Sequence, residues 1–376
     1  MEAAVTDRLR PRNWTVQEFA ASRKVWEELL GTSDADPLFM SWDWQWRWWT
    51  HHAKDLCASL QLIALYSGAG QLVAIAPFYS RAVTVRRILR TCRLELIGIA
   101  WRHPAFFSDY LDIIVAREYR DAALSQIGQW LRAQRFWQEL VFCCTKPDGV
   151  AAQLVRTQLA GRYYVREVDE LQGWVTRLPK QFDDYLATLG ADVRRKLFNH
   201  RRKLAEPVMQ EAGERDVPEY LDLLARYVAE RWGKAVVGTP AWAFQHDFAA
   251  CMAQAGRLRL TRLVTRDGPV SVMYNVRRGG TMYYLQSGFD PVKTHGLSPG
   301  YLHFGYAIQA ACQEGVERFD LLAGMGRHRD YKHDLLAEQV PVATYHISRG
   351  VRRLAYALHE QMNGARARCR NFLRGI

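Results

Sequence analysis

The sequence lacks most of the short signatures that announce a reaction. It has no Gly-x-x-x-x-Gly-Lys-Ser/Thr loop, no Gly-x-Ser-x-Gly nucleophile elbow and no His-Glu-x-x-His zinc motif, so nucleotide hydrolysis, serine-hydrolase chemistry and zinc-dependent hydrolysis find no support. No apolar run approaches the length needed to cross a bilayer. The first residues, with Glu2 and Asp7 and no apolar segment, do not read as a secretory signal. Cysteine is scarce and odd in number, seven in all. The spacing of Cys57, Cys92, Cys143, Cys144, Cys251, Cys312 and Cys369 fits neither a zinc pattern nor a disulfide framework. The expectation is small buried hydrophobes in a reducing cytoplasm, with no metal. Acidic residues are also short, 39 against 51 Lys and Arg, for a net charge of +12. That excess favours an anionic partner; the plainer alternative is a soluble, arginine-rich surface.

What is present suits two soluble domains. The chain has 376 residues, long for one domain and comfortable for two. Residues 60–66 and 72–79 read as a hairpin, 110–115 as a strand, 119–135 as a helix and 139–144 as a buried strand. The order recurs later: a hairpin over 258–265 and 270–277, a strand over 282–286, a helix over 301–313 and a strand over 318–322. Repetition of a whole supersecondary order at roughly 180–200 residues suggests a duplicated fold. The expected domains are 1–165 and 166–347, followed by a basic helical tail, 348–376.

The stretch Thr281–Gly324 organises the second half. Its loop holds Gly288, Pro291 and Gly296, and Ser298-Pro299-Gly300 opens its helix. Ser298 suits the N-cap and Pro299 the first helical position. A helix that starts in a glycine-containing loop between two strands presents free N–H groups to an anion. An α/β crossover without a ligand has the same pattern.

Ser298-Pro299-Gly300, a helix ending at Glu314-Gly315, then Phe319-Asp320-Leu321-Leu322-Ala323-Gly324 and Tyr331-Lys332 resemble the acetyltransferase family named after the CelD/BcsL proteins of cellulose biosynthesis. The resemblance runs from about Phe39 to about Ile347 and is specific to the family rather than to a substrate. It implies an α/β (α+β) fold of two tandem GNAT-like domains, each a mixed, mainly antiparallel sheet flanked by helices, related to Fem-type transferases. The implied activity is N-acyl transfer from a thioester, acyl coenzyme A or acyl carrier protein, to an amine or amino-sugar acceptor in envelope or exopolysaccharide metabolism. One departure matters: of the usual pyrophosphate loop, Gln/Arg-x-x-Gly-x-Gly/Ala, the segment Lys293–Pro299 keeps only Gly296.

Acyl transfer to an amine needs a route for the amine proton, a donor for the developing oxyanion and an anchor for the donor's phosphates. Asp320, a carboxylate in an apolar strand, is the expected base or amine-orienting group, or else a structural ion-pair partner. Tyr331 is the expected acid for the leaving group and Lys332 the expected anion ligand. Gln286, Ser298 and Gly300 are expected at the donor. Tyr284, sharing a face with Gln286 by the period of two, and His328 are expected at the acceptor. His303 reads as a satisfied helix residue, and His333 flanks the Tyr331-Lys332 pair. A basic helical run over 180–206 places Arg195 and Arg202 on one side, as a groove for a phosphate or carrier, or as a solvated face.

Five tryptophans within Trp42–Trp49 form a core stripe or, if exposed, a base-stacking platform. Two rival functions follow. One is aminoacyl transfer from tRNA, which the charge and the tryptophans suit. The other is a degenerate, non-catalytic scaffold docked on the inner membrane face by its basic tail.

Overall fold

The computed structural model describes residues 9–85, 89–103, 108–204, 207–233, 237–290, 297–323 and 330–350. Two compact units divide the chain: Met1–Glu170 with Val342–Ile376, and Leu171–Pro341. Residues 342–348 thus pair within the first unit rather than closing the second.

The first unit begins with β1 (Arg10–Asn13), α1 (Val16–Ala21), α2 (Arg23–Gly31) and α3 (Trp42–His52). Then come β2 (Ser59–Leu60), β3 (Ile63–Tyr66), β4 (Leu72–Ala76), β5 (Phe78–Val85), β6 (Leu89–Leu96) and β7 (Ile114–Val115). The helix α4 (Arg120–Ala133), β8 (Glu139–Thr145) and α5 (Val150–Leu154) follow, and β9 (Tyr164–Arg177) leads onward. One sheet has the order β1-β3-β4-β7. The expected strand 72–79 is therefore two strands in two sheets. They part at Pro77, which has no N–H to continue a ladder.

In the other sheet β5 and β6 form a hairpin, and β6 pairs in parallel with β8 through Arg93↔Glu139, Leu94↔Leu140 and Glu95↔Val141. The helix α4 makes the crossover. The strand before that crossover is thus β6 and not 110–115, because Ile114 and Val115 are paired with Ile75 and Ala74 elsewhere.

The tryptophan helix α3 is capped by Ser41, whose Oγ accepts from Trp44 N–H at 3.3 Å. Trp42, Trp44, Trp48 and Trp49 are buried. Trp44 donates its indole N–H to Ser108 Oγ at 2.8 Å. These rings are core, so the base-stacking reading fails for them.

The second unit contains α6 (Phe182–Thr188), α7 (Ala191–Leu197), β10 (Val208–Glu211), α8 (Val217–Trp232) and α9 (Pro240–Gln254). It continues with β11 (Leu258–Thr265), β12 (Gly268–Arg278), β13 (Thr281–Phe289), α10 (Pro299–Gln313), β14 (Arg318–Asp320) and α11 (Asp330–Asp334). The last strand, β15 (Glu338–Ser348), returns to pair with β8 in the first unit through its residues 343–348. The sheet of the second unit runs β10-β11-β12-β13-β14, with residues 175–177 of β9 antiparallel to β14.

The helical run expected over 180–206 is broken. Leu189 and Gly190 are extended (ψ 144° and 152°), α7 ends at Phe198, and a 3-10 segment spans Asn199–Leu204. One face of the sheet buries Met273, Met282 and Phe319 under α6, α7 and α10. There α7 and α10 nearly touch: a Cβ on Gly305 would lie 2.0 Å from the Leu197 carbonyl oxygen. Only glycine permits that approach, and it fixes the basic end of α7 beside the first turns of α10.

Candidate active site

The site starts from an incomplete strand pairing. β13 and β14 are parallel neighbours, joined by α10, and pair only at Thr281↔Arg318, Met282↔Phe319 and Tyr283↔Asp320. β13 then continues six residues, from Tyr283 to Phe289, still paired with β12. Beyond Tyr283 no strand among the described residues pairs with its other edge. Two parallel strands that part in this way leave a gap walled by backbone, with a helix start above it.

A bulge reshapes the gap. The pairing shifts between Tyr274↔Gln286 and Asn275↔Tyr284, so Leu285 is the extra residue on β13. Tyr284 packs on Phe304 of α10 (4.9 Å between rings), and its hydroxyl lies 2.7 Å from Ser287 Oγ. Gly288 turns the other way, with an added Cβ 2.7 Å from Tyr227 of α8. Gln286 alternates with Ser287 and so goes with Gly288. The expectation that Tyr284 and Gln286 share a face is therefore corrected: the bulge at Leu285 interrupts the period of two.

Three tyrosines gather at this place. Tyr331 stacks on Phe304 at 5.9 Å, and Tyr301, in the first turn of α10, donates its hydroxyl to Asp334 Oδ2 at 2.6 Å. Among the described residues the Tyr331 hydroxyl has no hydrogen-bond partner. Burial raises the pKa of Tyr331, and the hydroxyls of Tyr284 and Tyr301 push it the same way, against the opposing charge of Arg231. Burial also raises that of Tyr284. Both phenols hold their protons at neutral pH, so they serve as donors and not as bases.

Cations ring the same helix start. The Arg231 guanidinium lies 4.8 Å from the centre of the Phe289 ring, which also faces Gly300 of α10, 3.8 Å from an added Cβ. Lys196 lies 5.5 Å over the Tyr301 ring and 2.6 Å from Asp192 Oδ2. Arg195, exposed, pairs with the same Asp192. Arg201 is turned inward to Gln309 Oε1 at 2.8 Å and over the Tyr306 ring at 3.9 Å. Arg202 is exposed. Lys196 and Arg201 of the basic run thus pack against α10, while Arg194, Arg195, Arg202 and Lys203 are exposed. Ser298 has no side-chain cap bond; its ψ of 83° lies far from the 150° of Ser41, so its hydroxyl does not reach the first-turn N–H groups. Ser298 thus holds the expected N-cap position, with Pro299 first in the helix, but makes no side-chain cap bond.

Asp320 and Lys332 shape the exit of β14. Asp320 is buried, and its Oδ1 accepts from Leu322 N–H at 2.8 Å, across a turn in which Leu322 has a left-handed φ of 59°. Lys332, also buried, donates to the carbonyls of Leu321 at 3.1 Å and Leu322 at 2.9 Å. The two side chains hold opposite groups of one turn. His303 is fully buried between Ser271 Oγ (2.7 Å to Nδ1) and Thr261 Oγ1 (2.9 Å to Nε2). Burial lowers its pKa to about 3, so it is a neutral structural residue. His333 packs edge-on against Trp174. Gly296, Gly324 and His328 lie outside the described residues, as does the tail over 351–376.

Sequence reasoning missed Arg231, Tyr301 and Asp334. Arg231 ends an ordinary amphipathic helix, and nothing in its spacing marks it. Tyr301 and Asp334 carry a signal only once α10 and α11 are known to meet.

Residues 191–333, within the second unit, match the model of the acetyltransferase (GNAT) domain family. The chain thus carries a GNAT-type acetyltransferase domain and is an acyltransferase of that type. By structure it is similar to FemX, at 11% identity and a TM-score of 0.55, over 90% of this chain and 96% of that one. It is similar too to a conserved protein of unknown function from Bacteroides thetaiotaomicron VPI-5482 (10% identity, TM-score 0.53, 91% of this chain and 100% of that one). A third is L-PGS from Bacillus licheniformis, at 12% identity and a TM-score of 0.51, over 91% of this chain and 96% of that one. At such identities these likenesses speak for the fold. A sequence search of curated proteins gives no match.

Proposed function

We propose that the second unit moves an acyl group from a thioester of coenzyme A or acyl carrier protein to the amine of a small acceptor. The observation that carries this reading is the gap between β13 and β14, with Tyr331 beside it and the α10 start among cations. The donor's phosphates would lie toward the N–H groups of α10 and toward Arg195, Lys196 and Arg202. The amine nitrogen attacks the thioester carbon, and a backbone N–H on the unpaired edge of β13 supports the oxyanion. The C–S bond then breaks, the Tyr331 hydroxyl protonates the thiolate, and the proton lost by the amine nitrogen passes through solvent water to the Tyr331 oxygen, which restores the phenol. Asp320 and Lys332 act as positioning groups: they hold the β14 exit turn and, through it, the width of the gap.

The resemblance to CelD/BcsL proteins suggests an amino sugar of envelope or exopolysaccharide metabolism as acceptor. Among the described residues no helix is long and apolar enough to cross a membrane. Contact with an inner membrane face would rest on the basic tail, and liposome flotation with and without 348–376 tests it. The test of the main reading is mass spectrometry of co-purifying molecules, followed by thiol release against a panel of acyl thioesters and amines. Turnover with at least one pair supports it, and release with none contradicts it.

A rival donor, aminoacyl-tRNA, is favoured by one feature: only Gly296 remains of the pyrophosphate pattern. A fold shared with FemX over most of both chains agrees with it. Binding through many phosphates weakens steeply with salt, so a steep logarithmic slope would select tRNA and a shallow one a coenzyme A donor.

A further inference from the structure

Cys143 and Cys144 are neighbours on β8, where successive side chains ordinarily point to opposite faces. Here their sulfurs are 3.5 Å apart. The cause is local. The β15 pairing jumps from Ala343↔Thr145 to Tyr345↔Phe142, so two cysteines stand opposite the single residue Thr344. Cys144 takes the left-handed backbone, φ 53°, that such bulges usually give to glycine. In a residue with a Cβ this conformation is strained. Thr344 pins the arrangement: its hydroxyl donates to Cys143 Sγ at 3.4 Å and accepts from Cys144 N–H at 3.4 Å. Both cysteines are buried, at 3% and 0% exposure. Reaching either sulfur therefore requires local opening, which favours a small oxidant over a bulky thiol.

We propose that Cys143 and Cys144 form a dithiol that closes into a disulfide between adjacent residues when a peroxide reaches it. One thiolate attacks a peroxide oxygen, the O–O bond breaks, and a sulfenic acid and water form. The neighbouring sulfur attacks the sulfenic sulfur, the S–O bond breaks, and a second water leaves. Both thiols are oxidised, one hydrogen peroxide is reduced to two waters, and no other reactant is needed. Adjacent Cα atoms lie only about 3.8 Å apart, below the usual span of a disulfide, so the bond is strained and returns readily to thiols with a dithiol reductant.

The test uses the full chain, treated with hydrogen peroxide, alkylated and digested. The expected result is a peptide carrying both cysteines that is lighter by two hydrogens, unalkylated, and restored by dithiothreitol. Cys57, which is exposed and has no neighbouring thiol among the described residues, should instead proceed to its own oxidation products. Cys143→Ser and Cys144→Ser should each abolish the hydrogen loss; if either fails to fold, the wild-type mass result decides alone. The proposal is overturned if both residues remain alkylatable at a dose that oxidises Cys57. It is equally overturned if either accumulates as sulfinic acid with no disulfide.

Discussion

The two units use one plan and fill it differently. In each, two parallel strands joined by a helix pair at three positions, β6 with β8 and β13 with β14. In each, a non-glycine residue soon after that pairing has a left-handed backbone, Cys144 in one and Leu322 in the other. The difference lies beyond the pairing. β13 runs on for six residues, whereas β6 ends at Leu96, one residue past Glu95. The chain then folds back, and Trp101 N–H donates to Glu95 Oε1 at 2.7 Å. Arg81 pairs with Glu95 at 2.6 Å and Arg93 with Glu139 at 2.8 Å, all four side chains being buried. The first unit spends its opening on an internal ion-pair network; the second lines it with phenols. A duplicated fold can thus keep a gap in one copy and fill it in the other by strand length alone.

The largest expected effect concerns the two crossover helices. Gly305→Ala sets a methyl 2.0 Å from a backbone oxygen of α7, whereas Gly128→Ala in α4 comes to 2.9 Å from the Gln158 side chain, its Cβ included. Gly305→Ala should cost more than about 4 kcal/mol or prevent folding of the second unit. Gly128→Ala should cost less, about 1–3 kcal/mol for overpacking against Gln158, partly offset by helix propensity. Thermal and urea unfolding distinguish the two, and equal effects would break the comparison.

Next, Glu95→Gln leaves the Arg81 guanidinium buried beside a neutral group. Stability should fall by about 3–5 kcal/mol, with turnover per folded molecule unchanged. A loss of turnover at matched folding would place chemistry in the first unit.

The effect that is smallest near neutral pH, and grows with acid, concerns two buried histidines. Burial lowers His303 to about 3 and His52 to about 4, against an unfolded value of about 6.5. Between those values the unfolded chain binds more protons, so stability is full above about pH 6.5 and declines as pH falls. The slope is at most about 1.4 kcal/mol per pH unit for each group. It ends near pH 4 for His52 and continues toward pH 3 for His303. His303→Gln should flatten the lower part of the curve, and an unchanged curve would contradict the assignment.

Much of this plan was legible. The second half showed its hairpin, strand, helix and strand, because Gly and Pro punctuate it and the apolar periods are clean. The motif around Ser298-Pro299-Gly300 and Phe319-Asp320-Leu321 falls on α10 and the end of β14, the elements of the proposed site. The first half misled, since Ile114 and Val115 have the composition of a core strand, and only pairing with β4 assigns them to another sheet. The basic run 194–203 read as one helix because its apolar residues keep helical spacing; the break at Phe198 follows from packing Leu197 and Leu204 into separate clusters. Arg231 was invisible because its role depends on where Phe289 and Tyr331 stand in space. The bulge at Leu285 was invisible as well, and it decides which way Gln286 faces.

The phenols of the second unit are proposed to serve the acyl transfer, whereas Tyr79 of the first unit, whose buried hydroxyl donates to the Ile99 carbonyl at 2.7 Å, is structural. Thiol release by Tyr331→Phe and by Tyr79→Phe, compared at equal fraction folded, tests it most directly. The expected result is a fall in kcat of about 100-fold or more for Tyr331→Phe and a change within about twofold for Tyr79→Phe. An unchanged kcat for Tyr331→Phe, or a collapse for Tyr79→Phe, would contradict it.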